Sequence, residues 1–143
     1  MNLSAARQRA RPSPSGGQTM TEFALVLPVF LLLLMILFDF GRVIYAQNAI
    51  TQGARAATRF ASVSAPQSDA AIRDRARAMA PGVSLADTAI IGESDQFYPE
   101  GTAEGSRVVV HITLDVPLAT PIISNILGGS ITVDVTSEDL VRS

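Results

Sequence analysis

The chain has 143 residues, of which 48% are hydrophobic and 17% charged, with a formal net charge of -2 and no cysteine. Disulfides, thiolate metal sites and cysteine nucleophiles are therefore excluded, and packing alone must hold the fold. The lack of lysine, and of any basic patch interleaved with aromatics, argues against nucleic-acid binding, which needs clustered cations to neutralise phosphate.

Residues 1–17 carry Arg, Ser, Pro and Gly with almost nothing apolar to bury, and Arg7, Arg9 and Arg11 are the only charges before Glu22. They read as a basic leader on the cytoplasmic side. The chain then runs FALVLPVFLLLLMILF over residues 23–38 without a charge. As a helix this stretch is about 24 Å long, close to the roughly 30 Å bilayer core once the flanking turns are added. The positive-inside rule places the N-terminus in the cytoplasm and the rest of the chain outside. A secretory signal peptide would need a small-x-small cleavage site close to the apolar run. The nearest, Ala54-Arg55-Ala56, lies far beyond it, so the helix is expected to be retained.

Both edges of this segment carry polar landmarks. Glu22 is a lone carboxylate beside Phe23, five positions after Gly17. At the other edge Asp39 and Arg42, spaced i and i+3, can pair where the helix leaves the lipid, and Tyr45 suits headgroup depth. Pro28 removes a helix hydrogen bond early in the span.

The run Gly16-Gly17-Gln18-Thr19-Met20-Thr21-Glu22-Phe23 resembles a type IV prepilin processing site. The resemblance implies that a prepilin peptidase on the cytoplasmic face cuts between Gly17 and Gln18, making Glu22 the fifth mature residue. A new α-amino group at Gln18 is cationic, and a carboxylate one turn away or on a neighbouring subunit neutralises it where unpaired charges are costly. The plainer alternative makes Glu22 an interface marker favoured by the helix dipole. The glycine pair, the spacing, Phe23 and the basic leader together favour processing.

Residues 16–62 further resemble the N-terminal module of the TadE-like minor pseudopilins of the tight-adherence (Flp) pilus. The residues that carry this are Glu22-Phe23-Ala24-Leu25, Pro28, Asp39-Phe40-Gly41-Arg42 and Ala54-Arg55-Ala56-Ala57-Thr58-Arg59-Phe60-Ala61. The resemblance implies a part in pilus assembly, with membrane lipid, the prepilin peptidase, other pilins or pseudopilins and the pilus assembly platform as partners.

Three regions are expected: the leader 1–17, a pseudopilin-like helix 18–62 with its membrane span at about 23–40, and a small extracytoplasmic domain 63–143. Val43, Ile44, Ile50, Ala54, Ala57 and Phe60 recur at helical spacing, so the helix should continue to about Ala61. This mild stripe suits packing against either the chain's own domain or another subunit's helix. Ser68 can cap a second helix that reaches Ala80 and presents Ile72, Ala76 and Met79 on one face before Pro81-Gly82 stops it. Arg73, Arg75 and Arg77 are expected on a solvated face.

Alternating apolar and polar residues predict strands over residues 107–116 and 131–136, with 83–91 a less regular third. The fold class is therefore α+β, a long N-terminal helix followed by a second helix and a roughly three-stranded, mostly antiparallel sheet. Residues 117–129 are too apolar for an ordinary loop and too short to span a membrane. A short buried helix ended by Gly128-Gly129 is expected there, with contact of Leu118 to Leu127 with the lipid surface as the alternative.

Nothing in the pattern points to catalysis. His111 falls on the polar face of its strand with Thr113 and Asp115, without a nucleophile elbow or a phosphate-binding loop. Glu93, Asp95, Glu100 and Glu104 lack calcium-loop spacing and read as a solvated connection. No catalytic residue, metal, cofactor or small-molecule substrate is expected. The main alternative to the pseudopilin is an uncleaved single-pass anchor serving as an accessory or scaffold protein of a secretion or cell-envelope complex. An anchored hydrolase using His111 ranks behind both.

Overall fold

The computed structural model describes residues 15–63 and 66–142; Arg7, Arg9 and Arg11 of the basic leader lie outside the described residues. The elements are helix α1 (Ser15–Val63), helix α2 (Asp69–Ala78), strand β1 (Ile90–Ile91), strand β2 (Arg107–Pro117), helix α3 (Pro121–Leu127) and strand β3 (Ser130–Leu140). A single 3-10 turn, Asp87–Ala89, leads into β1. The chain divides into two compact units between Leu34 and Met35, within α1.

In the first unit α1 continues through Pro28, and its side chains from Gln18 to Leu31 are all exposed. Among the described residues one helix, Gly17–Val63, contains a stretch long and apolar enough to cross a membrane.

The second unit is built on a three-stranded antiparallel sheet in the order β1-β2-β3. β2 and β3 pair along their whole length, from Arg107 opposite Leu140 to Pro117 opposite Ser130. The α+β class expected from the sequence is thus observed. The third strand is shorter than expected, because only Ile90 and Ile91 of residues 83–91 pair with β2. Exposed Ser84, Ala86, Asp87 and Thr88 leave that stretch no continuous inward face.

One face of the sheet forms the core. Val108, Val110, Ile112, Val116 and Val133 meet Ala46, Ile50, Ala54, Ala57 and Ala61 from α1 and Ile72 and Ala76 from α2. The helical stripe therefore covers the chain's own sheet, and Ile44 and Phe60 lie off it. Small side chains let the helices approach closely. A Cβ built on Gly53 would lie 2.7 Å from the Ala76 carbonyl oxygen. The opposite sheet face is polar, as a one-sided antiparallel sheet requires, with Thr113, Asp115, Thr132, Asp134 and Thr136 on it.

From Asp39 to Ser62 α1 rises about 35 Å, nearly the roughly 36 Å reach of the eleven residues of β3. Bonds near its far end fix it to β3. Ser62 Oγ donates to Asp139 Oδ2 (3.0 Å) and the Arg142 amide donates to the Ser62 carbonyl (2.8 Å), while the Thr58 hydroxyl, bonded to the Ala54 carbonyl (2.8 Å), lies 3.3 Å from the Ser137 carbonyl. Burial pushes the Asp139 carboxyl up, but the Leu140 amide, the Ser62 hydroxyl and the Arg142 guanidinium outweigh it and hold the group below the usual aspartate value.

α2 begins where the sequence placed it, with Ser68 Oγ accepting from the Ala71 amide. Its arginines correct the expectation of a merely solvated face. Arg73 Nε donates to the Ile90 carbonyl (3.2 Å) and its guanidinium lies 5.3 Å from the centre of the Phe97 ring. Arg77 reaches the Leu85 carbonyl (3.0 Å), Asp74 and Asp87. The two long side chains tie α2 to the entry of β1, and Arg75 alone of the three is exposed. The acidic connection is likewise more than solvated, because Glu93, Glu100 and Glu138 converge on Arg107. As partly exposed pairs these contribute little to stability individually.

Candidate processing and membrane-boundary site

The first group of sequence-flagged residues lies in the opening turns of α1. Gln18 Nε2 donates to Glu22 Oε1 (3.1 Å), and Thr21 Oγ1 donates back to the Gly17 carbonyl (2.6 Å). The i,i+4 spacing thus brings Gln18 and Glu22 onto one face, where the carboxylate reaches the residue that follows Gly17. Phe23 is exposed.

The second group lies where the apolar run ends. Asp39 is only 4% exposed although apolar side chains around it, Leu37, Phe38 and Phe40, are open. Its Oδ1 accepts from the Ala119 amide (2.9 Å) and its Oδ2 from the Thr120 amide (2.8 Å). Arg42 stands 4.0 Å from Oδ1 with its side chain half exposed, so the spacing-derived pair forms but is the weaker contact. Tyr45 is exposed along its ring and donates from its hydroxyl to the Pro81 carbonyl (3.0 Å), at the exit of α2.

Sequence reading missed the principal partners of Asp39, because they lie about eighty positions away. No local pattern marks them, since Thr120 before Pro121 reads as an ordinary helix start.

α3 itself corrects an expectation. It is present and ends on Gly128 in the left-handed conformation (φ 79°), as the glycine pair implied, but it is not buried. Ile126 is 76% and Leu127 52% exposed. α1 and α2 already cover the apolar sheet face, and α3 joins the strand ends at Pro117 and Ser130, beyond that cover.

His111 bonds through Nδ1 to Thr136 Oγ1 (2.8 Å) and through Nε2 to Thr113 Oγ1 (3.1 Å), whereas Asp115 holds the Thr132 hydroxyl. Histidine and aspartate do not meet. Among the described residues no group of three or more His, Cys, Asp and Glu side chains could hold a metal.

Residues 17–59 match the family model described as TadE-like protein. The N-terminal segment is TadE-like. The TadE-like segment starts at Gly17, contains Glu22, Phe23, Asp39, Arg42 and Tyr45, and reaches into the stripe that covers the sheet. No curated protein and no solved structure matches the chain.

The Asp39 contact carries a direct prediction. Asp39→Asn keeps the size of the side chain but turns an NH2 toward one of the two amides, which loses its acceptor. Amide exchange at whichever of Ala119 and Thr120 faces the NH2 is expected to accelerate about tenfold or more, while that of Val110 in the sheet holds. Unchanged exchange at both positions would show that Asp39 does not hold the loop.

Proposed function

We propose that the chain is a minor pseudopilin of the tight-adherence (Flp) pilus, anchored in the inner membrane by α1 and processed by a prepilin peptidase between Gly17 and Gln18. The observation that carries this reading is the match of residues 17–59 to TadE-like proteins, which begins at Gly17. In this reading the N-terminus is cytoplasmic and the sheet domain extracytoplasmic, with Arg42 and Tyr45 at headgroup depth. After cleavage the new amino group of Gln18 lies one turn from Glu22, whose carboxylate neutralises it within the chain or on a neighbouring subunit. The role is structural rather than catalytic. It works through helix packing with other pilins or pseudopilins and with the assembly platform.

One observation favours the uncleaved anchor of a secretion or envelope complex. The Gly17–Gln18 bond lies inside α1, where the backbone is helical, whereas proteolysis favours exposed, irregular segments. Processing therefore requires the first turn to unwind in the peptidase.

The deciding experiment is the intact mass and N-terminal sequence of C-terminally tagged protein from membranes with and without an active prepilin peptidase. A peptidase-dependent start at Gln18, abolished in Gly17→Leu, is the expected result, and Glu22→Ala is expected to be cut but absent from sheared fibres. A start near Met1 in every sample would leave the uncut anchor.

A further inference from the structure

We propose that α3 and the residues flanking it form a second membrane contact, lying in the lipid interface beside the end of α1. The proposal rests on α1 being a membrane span. Three observations in the sheet domain carry it. The two Asp39 bonds attach Ala119 and Thr120, the residues that lead into α3, directly next to exposed Leu37, Phe38 and Phe40. The exposed side chains of Ile126 and Leu127 thus continue the apolar surface with which the run ends.

Charge is also segregated along the sheet. Residues 116–133 contain no charged side chain, and they make up the end at which Pro117 pairs with Ser130. The far end, where Arg107 pairs with Leu140, gathers Glu93, Glu100, Arg107, Glu138, Asp139 and Arg142. About 36 Å of strand separates the two ends, which holds the charged one clear of a bilayer that the other touches.

The polar groups of this end, Ser124, Asn125 and Ser130, are uncharged and suit a hydrated headgroup layer. The occupant is therefore lipid, because the surface continues the edge of the span and the nearest charges, Arg42 and Asp115, stand only at its margin, at headgroup depth.

The chain contains no tryptophan, which gives a clean probe. Full-length Ile126→Trp, Leu127→Trp, Leu31→Trp and Glu104→Trp variants are reconstituted at high lipid-to-protein ratio into phosphatidylcholine and phosphatidylglycerol vesicles carrying brominated acyl chains. Ile126→Trp and Leu127→Trp are expected to lose emission to the brominated lipid and to resist acrylamide in the water, with Glu104→Trp behaving in the opposite way. Acrylamide quenching of both α3 variants, with Leu31→Trp quenched by lipid, would overturn the second contact and leave the span intact. Leu31→Trp unquenched by lipid would sink the span, and this proposal with it. Shielding at α3 that vanishes as lipid dilutes the protein would assign the surface to a second copy and overturn the proposal equally.

Discussion

Phe97→Ala is expected to destabilise the sheet domain by about 3–5 kcal/mol, a large share of the roughly 5–15 kcal/mol that holds a small domain folded. Phe97 is 1% exposed and is the largest fully buried side chain among the described residues. Its ring carries the Arg73 guanidinium, and its carbonyl accepts from the Val109 amide (3.0 Å), so it joins α2, the connection after β1 and the start of β2. Alanine keeps the backbone bond but leaves a cavity and strands the cation that lay over the ring. Phe97→Leu should lose much less, since it keeps most of the volume. Urea unfolding of the full chain in detergent micelles measures both. A loss below about 1 kcal/mol for Phe97→Ala would show that the ring is not in a packed core.

The second large effect belongs to a position where two opposed terms can be weighed. Gly53→Ala gains up to about 1 kcal/mol of helix propensity. It also drives a methyl group to 2.7 Å from the Ala76 carbonyl oxygen and 3.2 Å from Ala80 Cβ. The nearer obstacle is backbone, so no rotamer change relieves it and α2 must move away. Overpacking of this kind costs about 1–3 kcal/mol, occasionally more. Net destabilisation of about 1–2 kcal/mol is therefore expected in the same assay. At Gly41, in the same helix, a methyl group would meet nothing within 4 Å. Gly41→Ala should stabilise by about 0.5–1 kcal/mol. The same sign for the two substitutions would mean that α1 and α2 do not cross at Gly53.

What could be read from the sequence was what repeats over short distances. The alternation through Val108, Val110 and Ile112 and through Ile131, Val133 and Val135 marked both long strands, and Ser68 marked the start of α2, because each signal reports residues close along the chain. The apolar run is equally local. Three features were not legible. The acceptor role of Asp39 depends on amides about eighty positions away. Arg73 and Arg77 look like surface cations from their neighbours, and only the fold brings the carbonyls of Ile90 and Leu85 to them. The exposure of Ile126 and Leu127 depends on other elements having already covered the sheet, which no pattern within residues 117–129 records. At the candidate processing site the spacing of Gly17, Gln18 and Glu22 was fully legible, since a helix converts i,i+4 directly into contact.

The fastening of Ser62 by Arg142 has a consequence for the order of events during synthesis. α1 is made before any of the sheet, while the last bond to it is supplied by residues made at the other end of the domain. At about 5–20 residues per second, the ribosome needs roughly 4–16 s to pass from one to the other. Through that interval the apolar half of α1 is complete and free to partition into lipid, and its alanine-rich half waits without a partner. With α1 as the membrane span, its insertion has a head start of seconds over closure of the sheet domain.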